Sequence, residues 1–124
     1  MNHPSEFGIL LKDFRQSAGY RQSELALEIK KSTQYISNIE NGKNNSPPKK
    51  EDLDKLIEKL DLKDERKRKF ILAASADRRT LPDNQIEYIL SHDNFIELIE
   101  FATNNDIPDK KWNTILNSLI KKEK

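Results

Sequence analysis

The sequence predicts an all-α protein, and three observations carry that prediction. Apolar residues recur at i, i+3, i+4 and i+7 along the chain. No alternating apolar and polar run of strand length occurs. The periodic segments are separated by Gly, Pro or residues that cap helices well.

Eight helices account for the pattern. Phe7, Leu10, Leu11 and Phe14 define the first, with Gly19 placed where a left-handed C-terminal cap is wanted. Leu25, Ala26 and Ile29 mark a short second helix. Ile36 and Ile39 mark a third, which starts at the N-cap Ser32 and stops at Asn41-Gly42. The prolines of Lys43-Asn44-Asn45-Ser46-Pro47-Pro48 make that stretch a loop. Leu53, Leu56, Ile57 and Leu60 form the fourth helix. Asp64 is expected to cap the fifth, which contains Phe70, Ile71, Ala73 and Ala74. Beyond Thr80-Leu81-Pro82, Asp83 is expected to cap a helix bearing Ile86, Ile89 and Leu90, and Asp93 another bearing Phe95, Leu98, Ile99 and Ala102. Pro108 opens the last, with Trp112, Ile115, Leu116, Leu119 and Ile120 in register. The Lys-rich end, Lys121 to Lys124, is expected to fray.

Composition narrows the function classes. The 124 residues are one domain's worth of chain, so one core is expected and large enzymes are excluded. With 0 Cys there is no disulfide framework, thiolate zinc site or cysteine nucleophile. His3 and His92 are isolated, so neither a metal site nor a cofactor is expected. No Ser, His and Asp set or Gly-rich phosphate loop is present, which leaves no catalytic candidate. No stretch approaches about 18 uninterrupted apolar residues, and the N-terminus lacks the basic and apolar regions of a signal peptide. The expectation is a cytoplasmic protein with no membrane partner.

The net charge of +1 hides an asymmetry. Residues 1–80 carry 17 basic and 13 acidic side chains, whereas residues 81–124 carry 5 basic and 8 acidic. The first part is therefore the better candidate for a polyanion partner, although the excess is too small to name nucleic acid by itself. Arg66-Lys67-Arg68-Lys69 reads as the solvated face of the fifth helix, bracketed by Leu62, Phe70, Ala73 and Ala74.

The segment from Gln22 to Asn41 carries the most information. Two short helices joined by about three residues pack steeply only if their closest contact is small and the others apolar, which Ala26, Leu25, Ile29, Ile36 and Ile39 satisfy. This is a helix-turn-helix pattern. Gln22-Ser23-Glu24-Leu25-Ala26 followed by Ile36-Ser37-Asn38-Ile39-Glu40-Asn41-Gly42 resembles the XRE family of lambdoid-repressor and Cro-like DNA-binding proteins. The resemblance extends over roughly residues 7–75, with Pro47-Pro48 and Leu53-x-x-Leu56 matching the family's loop into its fourth helix. It implies a five-helix, lambda-repressor-like DNA-binding domain over residues 1–80. Residues 81–124 are then a helical extension of about three helices that dimerises or binds a partner.

The third helix, residues 32–41, is the expected recognition helix. With Ile36 and Ile39 facing inward, Thr33, Gln34, Ser37 and Asn38 project outward as base-reading candidates. Gln and Asn suit adenine, while Thr and Ser suit several base edges or the thymine methyl. The resemblance implies that Gln22 contacts phosphate and braces the recognition helix, and that Asn41, Lys43 and Asn44 lie where the loop meets the DNA backbone. Tyr35 is placed either to bond a phosphate or to cover the core. Arg15 and Glu40 match a family pair that joins the first helix to the end of the third. Three positions depart from the family: Lys30 stands for the usual turn Gly, Lys31 for an apolar turn residue, and Arg21 for a capping Ser or Thr. A strained turn and a missing cap are expected, with Arg21, Lys30 and Lys31 adding phosphate contacts.

The function these residues imply is a double-stranded DNA-binding transcriptional regulator, a repressor, acting on its operator as a homodimer. Two rivals stand beside it: an antitoxin whose acidic C-terminal part captures a toxin, and an interaction adaptor that has kept the fold but lost DNA affinity. Trp112 and its stripe are read as core or dimer contact.

Overall fold

The computed structural model describes residues 5–43 and 48–122. All regular structure among them is helical: α1 (Glu6–Ser17), α2 (Gln22–Glu28), α3 (Thr33–Asn41), α4 (Lys50–Lys59), α5 (Asp64–Asp77), α6 (Asp83–Leu90), α7 (Asp93–Asn105) and α8 (Asp109–Lys122). The chain divides into two compact units, Met1–Pro82 and Asp83–Lys124. Among the described residues, no helix is long and apolar enough to cross a membrane.

In the first unit, the Ser5 hydroxyl accepts the Gly8 N–H at 3.1 Å as the N-cap of α1. The same hydroxyl donates to Asp77 Oδ2 at 2.7 Å, tying the start of α1 to the end of α5. Phe7, Leu11, Leu25, Ile29, Ile36, Leu56 and Phe70 are fully buried, each worth about 1.5–3 kcal/mol of burial. Phe70 joins α5 to α1, with its ring 4.6 Å from Phe7 and 5.8 Å from Phe14. Every large apolar residue that is buried in the described structure belongs to this unit.

Helices α1 to α5 all end the same way. A backbone N–H reaches back five residues to a carbonyl while its predecessor bonds inside that ring, as in Tyr20 to Arg15 and Gly19 to Gln16, or Lys31 to Ala26 and Lys30 to Leu27. This termination needs one left-handed residue per helix. Glycine supplies it at Gly19 and Gly42, but Lys30 (φ 59°), Asp61 (φ 52°) and Arg79 (φ 55°) supply it elsewhere. Each of those three carries a steric cost of about 1 kcal/mol that Gly would not.

Three expected caps are corrected, and in α6 Asp83 is itself the first helical residue. The extended residue before α5 is Lys63 and before α7 is His92, and neither makes a side-chain cap bond. Asp64 and Asp93 are the first helical residues, where their carboxylates meet the positive end of the helix dipole without accepting an N–H at the cap.

In the second unit α6 packs against α7, and the Tyr88 ring stacks on His92 at 4.0 Å and meets Phe95 edge-on at 6.1 Å. Its apolar stripes stay open to solvent. Ile86, Ile89, Ile96, Ala102 and Trp112 are half-buried, whereas Phe95, Leu98, Ile99, Ile115, Leu116, Leu119 and Ile120 are exposed. Trp112 is therefore outside the buried core. Of the Lys-rich end expected to fray, Glu123 and Lys124 lie outside the described residues.

Candidate nucleic-acid interface

The pairing of α2 with α3 is the most extensive helix contact in the first unit, followed by α1 with α3. Ala26, 1 % exposed, is buried in one cluster with Leu25, Ile29, Ile36 and Ile39. The turn between them is the left-handed Lys30 and the extended Ser32, whose hydroxyl accepts the Tyr35 N–H at 3.1 Å and starts α3. The family's Gly position is thus left-handed here too, and the expected strain is real. Arg21 caps α2 with no side-chain bond of its own, while Glu24 reaches back to accept the Arg21 N–H at 2.8 Å. Half of a capping box survives.

On the other side of α3 lies Gly8. A Cβ there would overlap the Ile39 carbonyl oxygen, so only glycine lets α1 approach α3 at this point. Beside it Glu40, 4 % exposed, takes two bonds from Arg15, at 2.7 Å from Nε and 2.9 Å from Nη2, and one from Gln22 Nε2 at 3.0 Å. Arg15 also donates to the Tyr20 carbonyl at 2.9 Å. Hydrogen bonding to Glu40 holds the Arg15 guanidinium above its ordinary pKa, against the pull of desolvation. A buried charge pair satisfied on this scale fixes where the end of α3 sits relative to α1 and α2.

The outer face of α3 is left to polar side chains. Thr33 and Gln34 are exposed and Ser37 and Asn38 partly so. Gln34 Nε2 donates to Asn38 Oδ1 at 2.7 Å, and Asn41 Nδ2 donates to Ser37 Oγ at 3.0 Å. Gln34 with Asn38 and Ser37 with Asn41 are thus two pairs, the members of each one helical turn apart. After the first bond Gln34 keeps Oε1 and one N–H, the set that matches adenine, and Asn38 keeps two N–H donors, which match acceptors such as guanine O6 and N7. Ser37 keeps its hydroxyl proton.

The residues expected at phosphates are distributed around this face. Arg21, Lys30, Asn41 and Lys43 are exposed, and the Lys43 N–H closes α3 on the Asn38 carbonyl. Gln22 is turned onto Glu40, the bracing half of its expected role. Asn44 lies outside the described residues. Tyr35 packs at the rim of the core and donates its hydroxyl to Asp52 Oδ2 at 3.4 Å. Lys31 is drawn to the same carboxylate at 3.3 Å and lies over the Tyr35 ring.

Asp52 and Gly8 are the residues that sequence reasoning missed. Asp52, 8 % exposed, anchors the turn and the start of α3 to α4. Its signal was register: it falls four residues before Leu56, a carboxylate inside an apolar stripe. Gly8 lies inside the first periodic segment, where a glycine with no turn to make implies a close backbone approach.

A closely packed pair of short helices, a polar outer helix face and cations at its margins define a helix-turn-helix DNA-binding domain. Residues 11–66 match the family described as Helix-turn-helix. This segment is a domain of the XRE, lambda-repressor-like type, the fold of DNA-binding transcription regulators. No curated protein and no solved structure matches the chain.

Proposed function

We propose that this chain is a sequence-specific repressor that reads the major groove of its operator with α3 and works as a dimer held by the Asp83–Lys124 unit. The observation that carries the reading is the outer face of α3. Thr33, Gln34, Ser37 and Asn38 keep donors and acceptors free there while the buried Arg15 and Glu40 pair, joined by the half-buried Gln22, fixes the helix from behind. In this reading Gln34 and Asn38 read bases, and Arg21, Lys30, Asn41, Lys43 and Asn44 position the domain on phosphates. One such domain covers one half-site, so a dimer supplies two, about 34–36 Å apart on one face of the duplex.

Selection of bound sequences from a random duplex pool by the full chain tests this. The expected result is a two-part symmetric motif with that spacing, bound more weakly as salt rises, and lowered reporter output when the motif overlaps a promoter. Enrichment of no motif overturns the reading. The antitoxin alternative draws on the exposed apolar residues of the second unit, and a partner protein whose toxicity the chain neutralises is what would favour it.

A further inference from the structure

The turn between α2 and α3 carries two adjacent lysines that are held differently. Lys30 is exposed and joins no ion pair among the described residues. Lys31 is fixed at three points. Its backbone N–H bonds the Ala26 carbonyl at 2.8 Å, its ammonium lies 5.4 Å from the centre of the Tyr35 ring, and the same ammonium meets Asp52 Oδ2 at 3.3 Å.

Asp52 makes that arrangement firm. It stands in the first turn of α4, four residues before the fully buried Leu56, so the register that buries Leu56 also draws this carboxylate inward and leaves its side chain 11 % exposed. A carboxylate shielded from water to this degree needs partners. Its Oδ2 takes the Lys31 ammonium and the Tyr35 hydroxyl, the latter at 3.4 Å. Arg78, the C-cap of α5, donates to the Pro48 carbonyl and adds positive charge beside Tyr35. A phosphate that drew Lys31 away would strip a buried carboxylate of a cation at 3.3 Å, whereas Lys30 gives up no ion pair to meet one.

We propose that Asp52 is a positioning residue of the DNA interface: it withholds Lys31 from the DNA backbone, so that of the turn's two lysines Lys30 alone meets a phosphate. The proposal rests on the DNA reading above and narrows the expectation that both lysines add phosphate contacts. A phosphate contact strengthens binding to every sequence alike, so Asp52 sets how much sequence-independent affinity the turn supplies.

Titrations of the full chain at a series of salt concentrations, with the duplex enriched from the random pool and with a scrambled duplex, test it. Lys30→Ala is expected to lower the slope of log affinity against log salt by about 1, and Lys31→Ala to leave it unchanged. Alanine keeps the steric cost of the left-handed position, so the Lys30 comparison isolates charge. Asp52→Asn keeps an oxygen for the Tyr35 hydroxyl and releases Lys31. It is expected to raise the slope by about 1 and to tighten binding to both duplexes by the same factor. Adding Lys31→Ala to Asp52→Asn should return the slope to that of the unaltered chain. Asp54→Asn, the same change of charge at an exposed site of α4, should leave the slope where it was. A slope that falls with Lys31→Ala, one that does not fall with Lys30→Ala, or one that rises no more with Asp52→Asn than with Asp54→Asn overturns the proposal and leaves the DNA reading standing. The two lysine variants decide it even if Asp52→Asn folds poorly. An unaltered chain that binds neither duplex overturns the DNA reading and the proposal with it.

Discussion

Gln34 donates its side-chain amide to Asn38 Oδ1 at 2.7 Å, one turn along the outer face of α3. The bond fixes which donors and acceptors each amide has left, so the two residues act on a base sequence as one unit. On the preferred duplex, Gln34→Ala and Asn38→Ala should each cost about 1–3 kcal/mol and relax base choice at a defined position. The double variant should cost less than the two together, with a coupling of about 0.5 kcal/mol or more. Affinity measurements over the unaltered chain and the three variants check this. Additive losses would separate the two residues, and equal weakening on every sequence would reassign both to the DNA backbone.

Lys43 is exposed where α3 ends. If it meets a phosphate, Lys43→Ala lowers the slope of log affinity against log salt by about 1 and leaves base preference unchanged. Binding titrations at several salt concentrations read this directly, and an unaltered slope removes Lys43 from the interface.

Gly8 faces the Ile39 carbonyl too closely for any Cβ. Gly8→Ala should destabilise the first unit by about 1–3 kcal/mol even though alanine is the better helix former. Urea unfolding measures it. A stabilised Gly8→Ala chain would mean that α1 and α3 are farther apart than described.

Lys30 holds a left-handed φ of 59° in the turn between α2 and α3. Lys30→Gly should raise stability by about 0.5–1 kcal/mol, the relief of steric cost exceeding the added freedom of the unfolded chain. A fall in the thermal midpoint would show that the Lys30 side chain contributes more than its backbone costs.

The Tyr35 phenol is pushed from its ordinary 10.0 up to about 12, by burial first and then by the charge and hydrogen bond of Asp52, with Arg78 opposing. Because the folded chain holds this proton more tightly than the unfolded one, the stability it confers is intact below pH 10 and is lost as pH rises from 10 to about 12. Over that window the unaltered chain should lose on the order of 1 kcal/mol more than Tyr35→Phe, after allowance for solvent screening at a half-buried site. Urea unfolding at a series of alkaline pH values compares them. Parallel curves would remove the contact with Asp52.

The helices were legible in the sequence because each repeats its apolar positions at the period of one helical turn. The recognition helix was legible because Ile36 and Ile39 assign its inner face and leave Thr33, Gln34, Ser37 and Asn38 outside. These are local facts, fixed by residues within a turn or two of each other. What the tertiary structure decided depends on residues brought together from distant parts of the chain. That Gly8 must be glycine follows only from where the Ile39 carbonyl comes to rest. That Asp52 governs Lys31 and Tyr35 follows only from the fold bringing α4's Asp52 to the start of α3. The sequence placed the caps of α5 and α7 at good capping residues, but the extended backbone fell one residue earlier, at Lys63 and His92. The apolar stripes of the second unit were equally plain in the sequence, yet periodicity states only which side of a helix seeks burial. Whether that side finds a neighbour is a matter of packing, and in α8 Ile115, Leu116, Leu119 and Ile120 stay exposed.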